Sequence, residues 1–473
     1  MPIPEGLGAI DLMISFPSAD ARGHYDNLRA LAKDAESKEM EFPAEYMFKQ
    51  VPNYLPEGAD PIEITLQEMD FCGVSAGLIG NPYFDVGKRA LKEHPDRFFA
   101  GIEIDPNDSI YVFVSVNVNP SAAQLPFILQ DSILVSFNGN VRYIQLQAYG
   151  QNAHFLTNQV LNGNFTWAND LPYVILGGLS IDTASILTIQ QGCRIYCHAN
   201  APFIVNGTLL AQGGKYDSTR IYFQGDRLDP PYNGYPAGWP GIYFAPSSKD
   251  NIFQFAVINN AYQAVVVSGP STDANPKLTL DESVISNAFD AGILAVQSNI
   301  QARNCLITNC GQNIELTYGG TYDFSYCTVA SYSNELLSHI NPVLSITNVS
   351  SDGTNSTSLL NSNFVNCIFW GDGSLPNEVA VGKQVTTNPF SVNFSYCLWL
   401  ETNSPANTTQ SNMLSSDPMF DSVNNQTLYY DFHLKDSSPA ISYGTINGSP
   451  LFDLDGNPRV VNGLTSLGCF QKQ

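Results

Sequence analysis

A chain of 473 residues is too long for one ordinary hydrophobic core, so two or more folding units are expected. Its formal net charge of −23, with only 21 Lys and Arg, argues against a basic groove for nucleic acid or anionic lipid. The acidity suits a solvated surface and leaves calcium binding open. No apolar run approaches the ~20 residues that a bilayer span requires, and Met1 to Glu5 lack the basic start and apolar stretch of a signal peptide.

The charge is unevenly spread. Residues 1–108 hold 9 basic and 20 acidic residues, and the remaining 365 hold only 12 and 24. Beyond residue 108 the chain turns to Asn, Ser, Thr, Gly, aromatic and β-branched residues, the composition of half-buried strands. A shift this sharp predicts a domain boundary, with units over 1–108 and 109–473.

The first unit reads as α/β. Ala9–Ile14 is a short apolar strand. Leu28, Leu31 and Ala32 give helical spacing between His24 and Ser37. Asp60-Pro61 is an N-cap followed by proline at the first helical position, and that helix stops before Gly73. Val74–Ile79 is a strand, residues 87–94 a helix, and residues 98–104 a third strand. The phrases GVSAGLIG and ALKEHPDRFFAGIEIDP resemble the start of the amidohydrolase superfamily, over about a fifth of the chain. That resemblance implies the opening of a (β/α)₈ barrel, cut short after two or three units. The family's first strand carries two histidine metal ligands, but Asp11-Leu12-Met13-Ile14 has none. No catalytic residue carries over, and His24 and His94 read as surface residues.

The second unit repeats a phrase. Six stretches align at Ala256, Ser283, Cys305, Cys327, Cys367 and Cys397, with separations of 27, 22, 22, 40 and 30 residues. Three residues earlier stand Phe253, Leu280, Ala302, Phe324, Phe364 and Phe394. Two residues later stand Ile258, Ile285, Ile307, Val329, Phe369 and Trp399. Steps of two keep side chains on one face of a strand; the step of three breaks that alternation and predicts a bend between two short strands. The small residue sits at the inner corner. Asn260, Asn287 and Asn309, four residues after it, predict an asparagine ladder at a turn. The pattern predicts a mainly β fold, a right-handed parallel β-helix.

The opening GLSIDTASILTIQQGCRIYCHANAPFIVNGTLLAQGG and the closing DPMF, DFHLKDSSPAI and DLDGNPR resemble bacterial, Bacteroidetes-type parallel β-helix proteins of the pectate-lyase-like group. The resemblance covers about three quarters of the chain. It implies an exported or cell-surface protein that binds, and in some members cleaves, polysaccharide; it is specific for fold and weak for activity.

Two candidate sites follow. The loop Gln224–Trp239 gathers Asp226, Arg227, Asp229, Tyr232, Tyr235 and Trp239, aromatics beside charges that suit a sugar; the plain alternative is that the rings only cover the side of the fold. Asp281 and Arg303 occupy the same place on adjacent repeats, with Asp323 nearby. In lyases of this fold an Arg or Lys takes the proton beside a uronate and acidic residues hold calcium, whereas an ion pair is the structural alternative. Glycoside hydrolases would need clustered carboxylates, which the sequence does not display.

Other features read as structural. Cys193, Cys197 and the four corner cysteines are expected to be packed free thiols. Asp453-Leu454-Asp455-Gly456-Asn457 resembles a calcium loop without its closing Glu, so a terminal turn is expected. Val257, Val284, Leu306, Ile368 and Leu398 fall on the outward face, and such a row either needs cover from a partner, a second subunit or the amino-terminal unit, or means that the register is shifted by one residue. Three functions stand at this point: a polysaccharide-binding or -cleaving β-helix, a non-catalytic structural or adhesive stalk, and an amidohydrolase-like metal-dependent hydrolase or decarboxylase, which the missing ligands disfavour.

Overall fold

The computed structural model describes residues 9–17, 55–79, 85–100, 127–137, 140–150, 152–350 and 356–473. The chain divides into two compact units, Met1–Val116 and Asn117–Gln473.

In the first unit, strands Ala9–Ile14, Val74–Ile79 and Phe98–Ala100 form a parallel sheet in that order. Helix Pro61–Cys72 begins where Asp60 accepts a hydrogen bond from the Ile62 N–H at 3.0 Å. It ends at Gly73, whose φ of 71° suits a residue without Cβ. Helix Asp85–Glu93 follows. Ile62, Leu66, Met69, Ile79, Ala90 and Phe98 make a small core. The strands are parallel because each connection carries a helix back across the sheet. The helix expected near residues 24–37 lies outside the described residues.

In the second unit, Phe127–Phe137 and Asn140–Gly150 pair as an antiparallel hairpin. Beyond it, 25 strands of the described residues join one sheet, and its strands pair in parallel. They fall into three rows, each strand pairing with its counterpart one repeat on. The first row holds Trp167, Ile189, Ala211, Phe253, Leu280, Ala302, Phe324, Phe364 and Phe394 in continuous register. The second holds Ile195, Phe223, Ile258, Ile285, Ile307, Val329, Phe369 and Trp399. From Phe253 and Ile258 onward these are the residues that the repeat phrase marked as inward, and all residues of both rows are buried. Rings stack along the row: Phe364 and Phe394 lie 4.8 Å apart at 12°. Removing each Phe, Ile, Leu or Val side chain of these rows from water stabilises the fold by ~1.5–3 kcal/mol.

The bend has a specific backbone. Phe255, Glu282, Asn304, Tyr326, Asn366 and Tyr396, each just before the small residue, adopt φ between 46° and 57°. This left-handed geometry costs ~1–2 kcal/mol for ordinary residues, so the corner must be held from both sides. Inside, the small residue donates to the carbonyl two residues back: Ser283 Oγ to Asp281 O at 2.9 Å, Cys305 Sγ to Arg303 O at 3.2 Å, Cys367 Sγ to Val365 O at 3.3 Å. Serine and cysteine therefore serve alike. All nine cysteines are free, and every one but Cys72 is buried.

Outside, the corner is gripped by the last sixty residues. Asn366 Nδ2 donates to Thr445 O, and Thr445 N–H returns a bond to Asn366 Oδ1, both at 2.9 Å. The Arg459 guanidinium lies 4.4 Å from the Tyr326 ring centre, donates to Gly468 O and Cys469 O, and also reaches Asn304 Oδ1. The same segment answers the question of the outward aliphatic row. Leu306, Ile368 and Leu398 are buried against Phe420, Phe432, Leu434, Leu454 and Phe470. The register is as expected, but the cover comes from the chain's own C-terminal segment and hairpin Phe420–Asn424/Tyr429–Leu434, not from the partners anticipated. Hydrophobic contact between segments tens of residues apart leaves no local periodicity to read.

Asp453 is a turn former: its carboxylate accepts from the N–H groups of Asp455, Asn457 and Gln471. Asp455 reaches His433 instead, at 2.8 Å.

Candidate functional site

Between the second and third rows the chain turns at Asn260 and Asn287, with φ of 61° and 55°. Asn287 Nδ2 donates to Asn260 Oδ1 at 2.8 Å, one rung of the expected ladder. The two amides also hold the loop Gln224–Trp239 from below, Asn260 through Asn233 O at 2.7 Å and Asn287 through Gly234 O at 2.8 Å. At Asn309 the pattern changes, since its Oδ1 accepts from the Tyr332 N–H.

The loop residues divide into those that anchor and those that face solvent. Trp239, expected among the sugar-binding residues, is fully buried; its indole N–H donates to Asn259 O at 2.8 Å, and its backbone bridges to Ala261. It pins the loop to the core. Asp226 is engaged by His198 Nδ1 at 2.7 Å. Arg227 donates to both oxygens of Asp229 at 3.0 and 3.2 Å, and its guanidinium lies 3.6 Å from the Tyr232 ring centre. That hydrogen bonding raises the Arg227 pKa and lowers that of Asp229, so both stay charged. Tyr232 packs edge-on against Tyr235 at 5.4 Å.

Two aromatic residues that the sequence analysis did not single out join them. Tyr262 and Phe289 each stand two residues after a ladder asparagine, and their rings stack at 5.7 Å and 21°. With exposures of 44% for Tyr232, 40% for Tyr235, 45% for Tyr262 and 50% for Phe289, the rings make two exposed aromatic pairs, on segments that Asn260 and Asn287 tie together. Polar groups flank them: Gln263 Nε2 donates to Asp290 Oδ2 at 2.7 Å, and Asp290 N–H donates to Tyr262 O. The signal was present in the chain as Asn-Ala-Tyr at 260–262 and Asn-Ala-Phe at 287–289. Aromatic faces can take up the apolar face of a sugar ring while amides and carboxylates hold its hydroxyls.

Asp281 and Arg303 are register partners, joined by two hydrogen bonds at 2.8 and 2.6 Å. The bond to Asp281 raises the Arg303 pKa, which makes it a poor acceptor of a substrate proton. Asp323, on the next strand, accepts from Asn363 at 2.9 Å. Lys277 has its pKa lowered to about 8 by burial, but it is enclosed, and its ammonium donates to Ala245, Pro246 and Ser268 carbonyls. Neither cation has the open, proton-accepting geometry of a lyase base.

No family model matches the chain, and neither does any curated protein or solved structure.

Proposed function

We propose that the second unit is a right-handed parallel β-helix that binds neutral polysaccharide along the edge formed by Arg227, Tyr232, Tyr235, Tyr262 and Phe289. The winding is supported by the parallel pairing of each strand with its counterpart one repeat on and by the crossover rule for parallel strands. Binding rests on one observation: the stacked, exposed Tyr262–Phe289 pair, held in place by the same asparagine rung that holds the aromatic loop. Single exposed aromatics are ordinary on a surface, but two exposed pairs on segments tied together are a contact site. The net charge of −23 argues for a neutral polymer over a polyuronate. The engaged states of Arg303 and Lys277 argue for binding over elimination chemistry. The surface or extracellular location implied by the family resemblance belongs to the same reading.

Affinity electrophoresis tests it. The whole chain should be retarded in gels cast with a neutral glucan, mannan or galactan and should run freely in polygalacturonate. Calcium-dependent retardation by polygalacturonate alone would overturn the neutral reading. Free migration in every gel, from a protein shown to be folded, would overturn polysaccharide binding and favour a structural stalk.

A further inference from the structure

A register line of the second row runs beside the aromatic edge and continues past it. On the second row Asn259, Ser286, Thr308, Ala330 and Trp370 are successive partners. Tyr262 and Phe289 follow the first two of these by three residues. Three repeats beyond Ser286, Trp370 lies on this line. There the C-terminal hairpin stands off the sheet and leaves a cleft of about 500 Å³, lined by Tyr332, Trp370, Asp372, Asp417, Met419 and Lys435 among others.

The cleft holds unused hydrogen-bonding capacity. The Tyr332 hydroxyl, the Trp370 indole N–H and the Lys435 ammonium have no hydrogen-bond or ion-pair partner among the described residues. Burial, then the charges of Asp417, Asp372 and Glu378, raises the Tyr332 pKa, so its hydroxyl remains a donor. Asp417 spends one oxygen on the Met419 N–H at 2.7 Å and keeps the other. Burial opposes ionisation of Asp372, but bonds from Ser374 and Ser333 outweigh it and hold the pKa at about 2. The Lys435 N–H donates to Met419 O at 2.9 Å, which fixes the lysine backbone beside Asp417. The floor is Gly371: a Cβ there would come within 1.9 Å of Glu378 Oε1 and 2.7 Å of His339 Nε2, a buried pair joined at 2.8 Å. Only glycine lets this wall close under the cleft.

Two carboxylates and one ammonium make a poor receptor for a uronate. An ammonium beside a carboxylate is well matched to a vicinal diol, which accepts from the first and donates to the second. We propose that the cleft is a subsite for one neutral hexopyranose unit, seated on the Trp370 ring with adjacent hydroxyls bridging Asp417 and Lys435. The proposal rests on the reading of the edge as saccharide-binding and extends it by three repeats.

Trp370 reports on the cleft selectively, because Trp167, Trp239 and Trp399 are all buried. Acrylamide quenching of the tryptophan fluorescence of the whole chain would be measured with neutral trisaccharides of glucose, mannose and galactose, and with trigalacturonate. At least one neutral trisaccharide should shield Trp370, and trigalacturonate should not. Lys435→Met and Asp417→Asn should each weaken that protection about tenfold, and Lys435→Arg should keep most of it. Circular dichroism would verify that each variant is folded. Absence of shielding by every neutral trisaccharide would overturn the subsite, as would equal shielding by trigalacturonate or by the two variants. Loss of the subsite with retardation by polymer intact would leave the aromatic edge standing; shielding without retardation would do the reverse.

Discussion

Asn287 donates its side-chain amide to Asn260 Oδ1 at 2.8 Å and, with its second N–H, to Gly234 O at the same distance. One residue thus ties two repeats together and holds the aromatic loop. Asn287→Asp keeps a side chain tolerant of the left-handed turn but sets a carboxylate against two acceptor oxygens. A loss of ~1–3 kcal/mol is expected, with faster protease cleavage within residues 225–238. Thermal melting and limited proteolysis would check both effects. An unchanged cleavage rate would show that the ladder does not hold the loop.

The outward aliphatic row gives a second prediction. Leu398 is fully buried between the second row and the C-terminal segment. Leu398→Ala should cost ~2–5 kcal/mol and loosen the segment before the sheet. Hydrogen exchange would show protection lost first around residues 420–434, whereas the strand Phe390–Ser395 should stay protected. Simultaneous loss in both would mean that the segment and sheet unfold as one unit.

The corner thiols give a third. Ser283 and Cys367 make the same bond to the carbonyl two residues back, so Cys367→Ser should be tolerated within ~1 kcal/mol. Cys367→Val, which lacks the donor and adds a branch, should cost more. Burial raises the pKa of the Cys305, Cys327 and Cys367 thiols, so iodoacetamide should label only exposed Cys72 in the folded chain, as read by peptide mass spectrometry. Rapid labelling of Cys367 would contradict the closed corner.

A fourth concerns pH. His433 donates to Asp455 and Asp431, which raises its pKa to about 9 from the usual 6.5. The folded state binds the proton more tightly, so this contribution is full below about pH 6.5 and is lost as pH rises through about 9. Unfolding by urea across that window should show stability falling with pH, and Asp455→Asn should flatten the slope. An unchanged slope would remove His433 as its source.

The repeat phrase made much of the sheet legible, because a period of two and a break of three are local facts that parallel stacking then copies from strand to strand. Phe253, Leu280 and Phe324 fell in register for that reason. The left-handed residue before each corner was less visible, since Phe, Glu, Asn and Tyr all occupy it and only their side-chain contacts offset the strain. Tyr262 and Phe289 were readable as a repeated Asn-Ala-aromatic phrase, once the turn asparagine was used as the reference. The cleft at Trp370 was not readable: it forms where residues 417–435 return to residues 330–373, and nothing in either stretch announces the other. Trp239 shows the opposite limit, an aromatic in a loop that composition marked as a contact residue and packing placed in the core.

The most direct test is calorimetric titration of the whole chain with the neutral polysaccharide that retards it, alongside Tyr262→Ala/Phe289→Ala. The double variant is expected to melt within a few degrees of the parent and to bind about tenfold more weakly. Equal affinity in the two proteins would contradict this and move the binding surface away from the aromatic edge.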